Sequence, residues 1–161
     1  MTLYDLVANK HYQNKNVLTK LIDHHTGVPY KEIILHYDDV VAEEVVAKIT
    51  SDYYLYEKDK MPLEYIVWHV DFLKNSFLID KRAMIPRPET EYMIEAVVEG
   101  IQEWSDENVD LLDLGCGCGV LGLSVAILSQ KKPKTLASWD LSPDAVDLTK
   151  KNIEKYSEQL S

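Results

Sequence analysis

With 161 residues, 46% of them hydrophobic and 27% charged, the chain has room for one ordinary domain or two small ones and the composition of a folded protein. A formal net charge of −10 opposes the phosphate backbone and argues against a nucleic-acid-binding protein. The opening MTLYDLVANK has no basic stretch before an apolar run, and the longest apolar segment, Val120 to Leu128, falls far below the roughly 18 residues of a membrane span, so a cytoplasmic or organelle-matrix protein is expected.

Val17, Leu18, Leu21 and Ile22 form one apolar stripe that stops near Gly27, which predicts a first helix, and a short helix is expected over Pro29 to His36. Val41, Val45, Ile49, Tyr53 and Tyr56 recur every three or four residues, with Glu43, Glu44 and Lys48 on the other face, the pattern of an amphipathic helix. Tyr53, Tyr54 and Tyr56 at that spacing are read as core or boundary residues and not as a stacking platform for bases. The histidines, His24 and His25 among them, have no partner arranged in the sequence and are read as surface or boundary residues, and Asp38 and Asp39 as a loop or helix start.

After the polar break EKDK and Pro62, Tyr65, Ile66, Val67, Trp68, Val70 and Phe72 are followed by a turn at Lys74 and Asn75 and then by Phe77, Leu78 and Ile79, which predicts a β-hairpin joining two parts of the molecule. From Pro88 the period is helical again, with Met93, Ile94, Val97, Val98, Ile101 and Trp104 on one side and Glu89 and Glu91 in the first turn. A strand over Val109 to Leu114, a glycine turn, a helix over Val120 to Leu128, a strand over Thr135 to Trp139 and a helix opened by Ser142 and Pro143 then read as the start of a parallel α/β sheet.

The run Asp113-Leu114-Gly115-Cys116-Gly117-Cys118-Gly119 stands where a strand hands over to a helix, and glycines there let a ligand approach backbone N–H groups. Asp140 ends the next strand, from which a carboxylate accepts hydrogen bonds from the two hydroxyls of a ribose, so an adenosine-bearing ligand is expected. Gly117, Gly119 and Gly122 satisfy G-x-G-x-x-G, which by itself also fits a dinucleotide. Asp113 would set a carboxylate near an anionic pyrophosphate but suits the ammonium and sulfonium of S-adenosylmethionine, and so favours the latter. Cys116 and Cys118 are too close for an ordinary disulfide and supply half of a zinc ligand set, so no metal is expected.

The segments PLEYI (62–66), Phe72 and Phe77 of the hairpin, MIPRPETE (84–91), DLGCGCGVLGLSVA (113–126) and DLSPDAV (140–146) stand in the order and spacing of HemK/PrmC glutamine methyltransferases, which the chain resembles from about Gly27 to Asn152. IPRPETE is the most specific of these. The resemblance implies a helical release-factor-docking domain at 1–60, a β-hairpin linker at 61–80, and at 81–161 the first half of a class I, Rossmann-like methyltransferase domain. It implies S-adenosylmethionine as cofactor, held by Asp113, Gly115, Cys116, Gly117, Cys118, Gly119 and Asp140, with Arg87, Pro88, Glu89 and Thr90 beside it. It further implies methylation of the glutamine amide in the Gly-Gly-Gln motif of a peptide chain release factor, a monomer when completed, and no direct nucleic-acid or membrane partner. Trp68 and Lys74 stand where the family usually has glycine, and Cys116 and Cys118 where it has small polar residues or alanine. The family's Asn-Pro-Pro-Tyr motif, which holds the target amide, does not occur before Ser161. No catalytic residue is therefore assigned, and the chain alone is expected to be inactive. The alternatives are a nucleotide-dependent oxidoreductase and a non-catalytic release-factor-binding protein.

Overall fold

The computed structural model describes residues 1–105 and 108–160. They form two compact units, Met1–Val67 and Trp68–Ser161.

The first unit is helical. Its first helix, α1 (Leu3–Ala8), begins with a capping box in which Thr2 accepts from the Asp5 N–H and Asp5 accepts from the Thr2 N–H. This helix was not predicted, because six residues are too few to display a period, although the Thr-x-x-Asp signature was legible. The helix α2 (Lys15–Thr26) is capped by Asn14 and ends at Gly27 in the left-handed conformation. The segment expected to be a short helix over 29–36 contains only a 3₁₀ turn, Ile33–His36. The helix α3 (Glu43–Glu57) lies against α2, and α4 (Leu63–Val67) packs on both. Leu3, Leu6, Leu18, Leu21, Ile22, Ile49 and Tyr53 interlock in the core of this unit. The Tyr53 ring meets Tyr12 edge-on at 4.9 Å and its hydroxyl accepts from the Asn14 N–H, so it is a packing residue.

Two readings change here. His25 is not partnerless: its Nε2 lies 2.7 Å from the Asp52 carboxylate, joining α2 to α3, and His36 Nδ1 lies 2.8 Å from Asp39. Tyr65, Ile66 and Val67 are helical and not part of a strand, because Pro62 starts a helical turn and Ile66 and Val67 bury themselves in the helical core.

In the second unit the hairpin is short, β1 (His69–Phe72) paired antiparallel with β2 (Asn75–Leu78). Its turn is Leu73–Lys74, one residue earlier than predicted, and both residues have positive φ, 45° and 66°. Trp68, which precedes β1, also has φ 64°. These are left-handed conformations that favour glycine, and Trp68 and Lys74 are the two positions where the family that the chain resembles usually has it. The helix α5 (Thr90–Glu103) buries Ile94 and Ile101 and packs on α6 (Val120–Leu128). The strands β3 (Asp110–Leu114) and β4 (Thr135–Trp139) pair in parallel, with Asp113 opposite Ser138 and Leu114 opposite Trp139. Strand, helix, strand and the following α7 (Pro143–Lys155), capped by Ser142, give the α/β arrangement expected; a last turn, α8, spans Ser157–Leu160. Among the described residues β3 pairs only with β4, and one sheet face stays open: Leu112, Leu114 and Trp139 are 58%, 68% and 55% exposed.

Candidate functional site

The strand β3 ends in the glycine turn because the chain must reverse from strand to helix within five residues, and Gly115, Gly117 and Gly119 all have positive φ. At Gly119 space also decides: a Cβ there would lie 2.8 Å from Thr149 Cγ2 of α7. At Gly122 a Cβ would meet the Asp113 carboxylate and Leu136 at 3.0 Å, so this glycine lets α6 lie close on the sheet.

The amides of the turn are largely spent inside the protein. Those of Gly115 and Cys116 both donate to the Trp139 carbonyl, at 2.8 and 3.0 Å. The Gly117 N–H donates to Asp140 Oδ2 at 2.9 Å, and the Gly119 N–H to the Cys116 carbonyl at 2.7 Å. At the start of α6, the Gly122 N–H donates to Asp113 Oδ2 at 3.0 Å. The glycines therefore shape the turn more than they bare N–H groups, which differs from the role read from the sequence.

Two acids flank this turn in different environments. Asp113 is buried, and loss of solvent pushes its carboxyl above the usual carboxylate range against the pull of the Gly122 N–H, with the Asp140 charge pushing the same way. Asp140 stands at the end of β4, partly exposed, and the N–H groups of Ser142 and Gly117 hold its carboxyl below the usual range. It is thus an anion whose two oxygens each bind one N–H and keep further acceptor capacity for a ligand. Both cysteines are buried. Burial pushes Cys118 up to about 11 and raises Cys116, whose sulfur lies 3.4 Å from the Thr149 hydroxyl, so both are neutral thiols and act as small apolar groups.

Arg87, Pro88 and Glu89 are exposed and Thr90 half-buried; the Thr90 and Glu91 N–H groups donate to the carbonyls of Arg87 and Pro88, making a turn that starts α5. The residue of this region that lies against the glycine turn is Ala83, 3.7 Å from where a Gly117 Cβ would stand. Its own turn is held by Asp80, which Arg82 grips with Nε and Nη2, the guanidinium holding that carboxyl below its usual range.

Sequence reasoning passed over the side chains that support the turn, Thr149 and Asn152, and Tyr156, which bonds Ser76 of β2. Thr149 and Asn152 lie on one face of α7 and Tyr156 at its C-cap, at i, i+3 and i+7, in line with buried Ala145 and Leu148. Polar residues inside an otherwise apolar stripe were the available signal.

The sequence profile of a family described as "Lysine methyltransferase" matches residues 85–161. The proteins named release factor glutamine methyltransferase from Clostridium acetobutylicum and Mycoplasma mycoides are 39% identical over 110 residues and 31% identical over 144 residues. These alignments cover 68% and 89% of this chain and 37% and 49% of the relatives. The protein of the same name from Aquifex aeolicus is 32% identical over 127 residues, 78% of this chain and 43% of its own length. The chain thus spans between about a third and a half of the relatives it matches.

Proposed function

The chain belongs to the HemK/PrmC family of release factor glutamine methyltransferases, and we propose that it supplies the S-adenosylmethionine-binding part of a protein that methylates the glutamine of the Gly-Gly-Gln motif in peptide chain release factors. The observation that carries this is the pair of carboxylates around an amide-poor turn. A pyrophosphate needs free N–H donors at the start of a helix, but here Asp113 already takes the Gly122 N–H and adds a negative charge. The methionyl ammonium and the sulfonium are cations, for which Asp113 is a complementary neighbour. A ribose offers two hydroxyl donors, for which Asp140 has spare acceptors.

Gly115, Cys116, Gly117, Cys118 and Gly119 form the wall against which the cofactor lies, and Arg87 to Thr90 stand beside it as the segment leading into α5. Bound there, S-adenosylmethionine supplies a methyl group activated by the positive sulfur. The described residues orient the cofactor and do not grip the acceptor. A glutamine amide nitrogen is a poor nucleophile, its lone pair being delocalised, so the family's acceptor step rests on positioning. The residues for that step are not among those assigned here, and no catalytic residue is named. The profile described for lysine methyltransferases covers only 85–161, the half holding the cofactor turn, whereas the glutamine-methylating relatives extend the match across the hairpin and beyond. Glutamine is therefore the acceptor favoured. The helical unit is read as the release-factor-docking part, in the compartment where translation terminates.

Calorimetry with S-adenosylhomocysteine and with NAD tests the cofactor reading. Asp140→Ala is expected to weaken S-adenosylhomocysteine binding by roughly 1–3 kcal/mol, the range for lost charge-assisted hydrogen bonds. Unchanged affinity would remove Asp140 from the site, and tighter binding of NAD would favour an oxidoreductase. Capture of a release factor by residues 1–67 tests the docking reading, and an empty pull-down counts against it.

A further inference from the structure

We infer that Thr149 and Asn152 of α7 are positioning residues of the cofactor turn, and that Asn152 ties that turn to the β-hairpin, so that the hairpin's geometry enters cofactor affinity; this rests on the reading of 113–119 and 140 as the S-adenosylmethionine site. Gly117 is held at both ends: its N–H donates to Asp140, and its carbonyl accepts from the Thr149 hydroxyl at 2.9 Å. The next carbonyl, of Cys118, accepts from Asn152 Nδ2 at 2.8 Å. The same Nδ2 donates to the Leu78 carbonyl at 2.9 Å, and Asn152 Oδ1 accepts from the Leu78 N–H at 2.8 Å.

Asn152 is 0% exposed and all three of these bonds are internal, one accepted and two donated. Only a carboxamide offers that combination on a short side chain. An aspartate would face two carbonyls with an acceptor, and a leucine would leave the Cys118 carbonyl and both polar groups of Leu78 without this partner. One turn further along, the Tyr156 hydroxyl accepts from the Ser76 N–H at 2.9 Å and donates to the Ser76 carbonyl at 2.7 Å, and Lys155 also reaches that carbonyl. The face of α7 therefore binds the backbone of β2 at one end and the glycine turn at the other. Thr149 approaches Gly119 so closely that a Cβ has no room there. The turn takes its shape from α7 before any ligand arrives, and a preorganised site avoids the ordering cost of binding.

The test uses the 161-residue chain as Thr149→Val, Thr149→Ser, Asn152→Asp and Asp140→Ala. Affinity for S-adenosylhomocysteine and amide exchange in the ligand-free state are both measured. Thr149→Val, which keeps the side chain's shape, is expected to weaken binding roughly threefold to tenfold, the scale of one hydrogen bond, and to speed exchange of the Gly117 and Gly119 amides, while amides of α5 exchange as before. Thr149→Ser, which keeps the hydroxyl, is expected to restore both. Asn152→Asp is expected to speed exchange in the turn and at Leu78 together. If Asp140→Ala loses binding while Thr149→Val binds and exchanges as the parent does, the inference is overturned and the site reading stands. If Asp140→Ala binds as tightly as the parent, the site reading itself fails and the inference with it. General loss of protection across α5 in Thr149→Val would show a merely structural residue and also overturn it.

Discussion

The helical unit and the α/β unit use the same kind of hydrophobic patterning to different ends. In Met1–Val67 the apolar stripes of α2 and α3 face each other, and Leu18, Leu21, Ile22 and Ile49 are fully buried. In Trp68–Ser161 one side of the β3–β4 pair leaves Leu112, Leu114 and Trp139 exposed, and Met93 of α5 and Trp104 at its C-cap are exposed as well. A helix satisfies its backbone groups within itself except at its ends, which caps such as Thr2 and Asn14 serve, and it needs only one apolar stripe. A parallel strand needs two neighbours and a cover on each face, which two strands do not provide. Apolar pattern alone therefore says that a face is meant to be covered, not that it is covered within a given stretch of chain.

This contrast breaks most readily in the core. Leu21→Ala is expected to cost about 2–5 kcal/mol and to lower the transition of the helical unit, followed by far-ultraviolet circular dichroism. Leu112→Ser, on the open face, is expected to cost within about 0.5 kcal/mol and to reduce self-association in sedimentation. A large loss of stability in Leu112→Ser would mean that the face is covered in solution. Hydrogen exchange sharpens the same point: amides over 15–57 are expected to be better protected than those over 110–155, and uniform protection through the second stretch in a monomer would sink the comparison.

A smaller effect is expected at Asp113. Because its folded carboxyl is held above the ordinary range, the folded unit binds the proton more readily than the unfolded chain, and the charge weighs against folding as pH rises through that raised value. Asp113→Asn keeps an oxygen for the Gly122 N–H and loses the charge. It is expected to stabilise the α/β unit at pH 7, a gain that fades as pH falls from the raised value of the folded carboxyl and is gone below the ordinary carboxylate range, about pH 4. The same change should weaken S-adenosylhomocysteine binding. The melt is followed by tryptophan fluorescence, since Trp68, Trp104 and Trp139 all lie in this unit. Equal stability at pH 7 would deny that burial of the charge is unfavourable.

The smallest effect concerns the hairpin. Lys74 has φ 66° in the turn, and Lys74→Gly is expected to add up to about 1 kcal/mol by removing a Cβ from a left-handed conformation. A loss of stability in thermal melts would show that the lysine side chain contributes more than its backbone strain costs.

Long periodic segments were legible from residues alone. The stripe at 17–22, the stripe at 41–56 apart from Val41, which precedes α3, the two parallel strands to within one residue, the helix at 120–128 and the Ser142-Pro143 start stand as read, because each is a repeat or a cap written in neighbouring residues. The glycine turn with Asp113 and Asp140 was legible for the same reason, whereas Trp68 and Lys74 stood out only through the resemblance, and their positive φ came from the structure. Tertiary structure alone decided what no local pattern contains. Residues 65–67 became helical because Ile66 and Val67 find a helical core, His25 gained Asp52 from 27 residues away, and the amides of the turn were taken by Trp139, Asp140 and Cys116. Asn152 meets Leu78 across 74 residues. Sequence determines the period and the turn because those depend on a few neighbouring dihedrals, whereas partners for a buried donor or acceptor are set only once distant segments have packed.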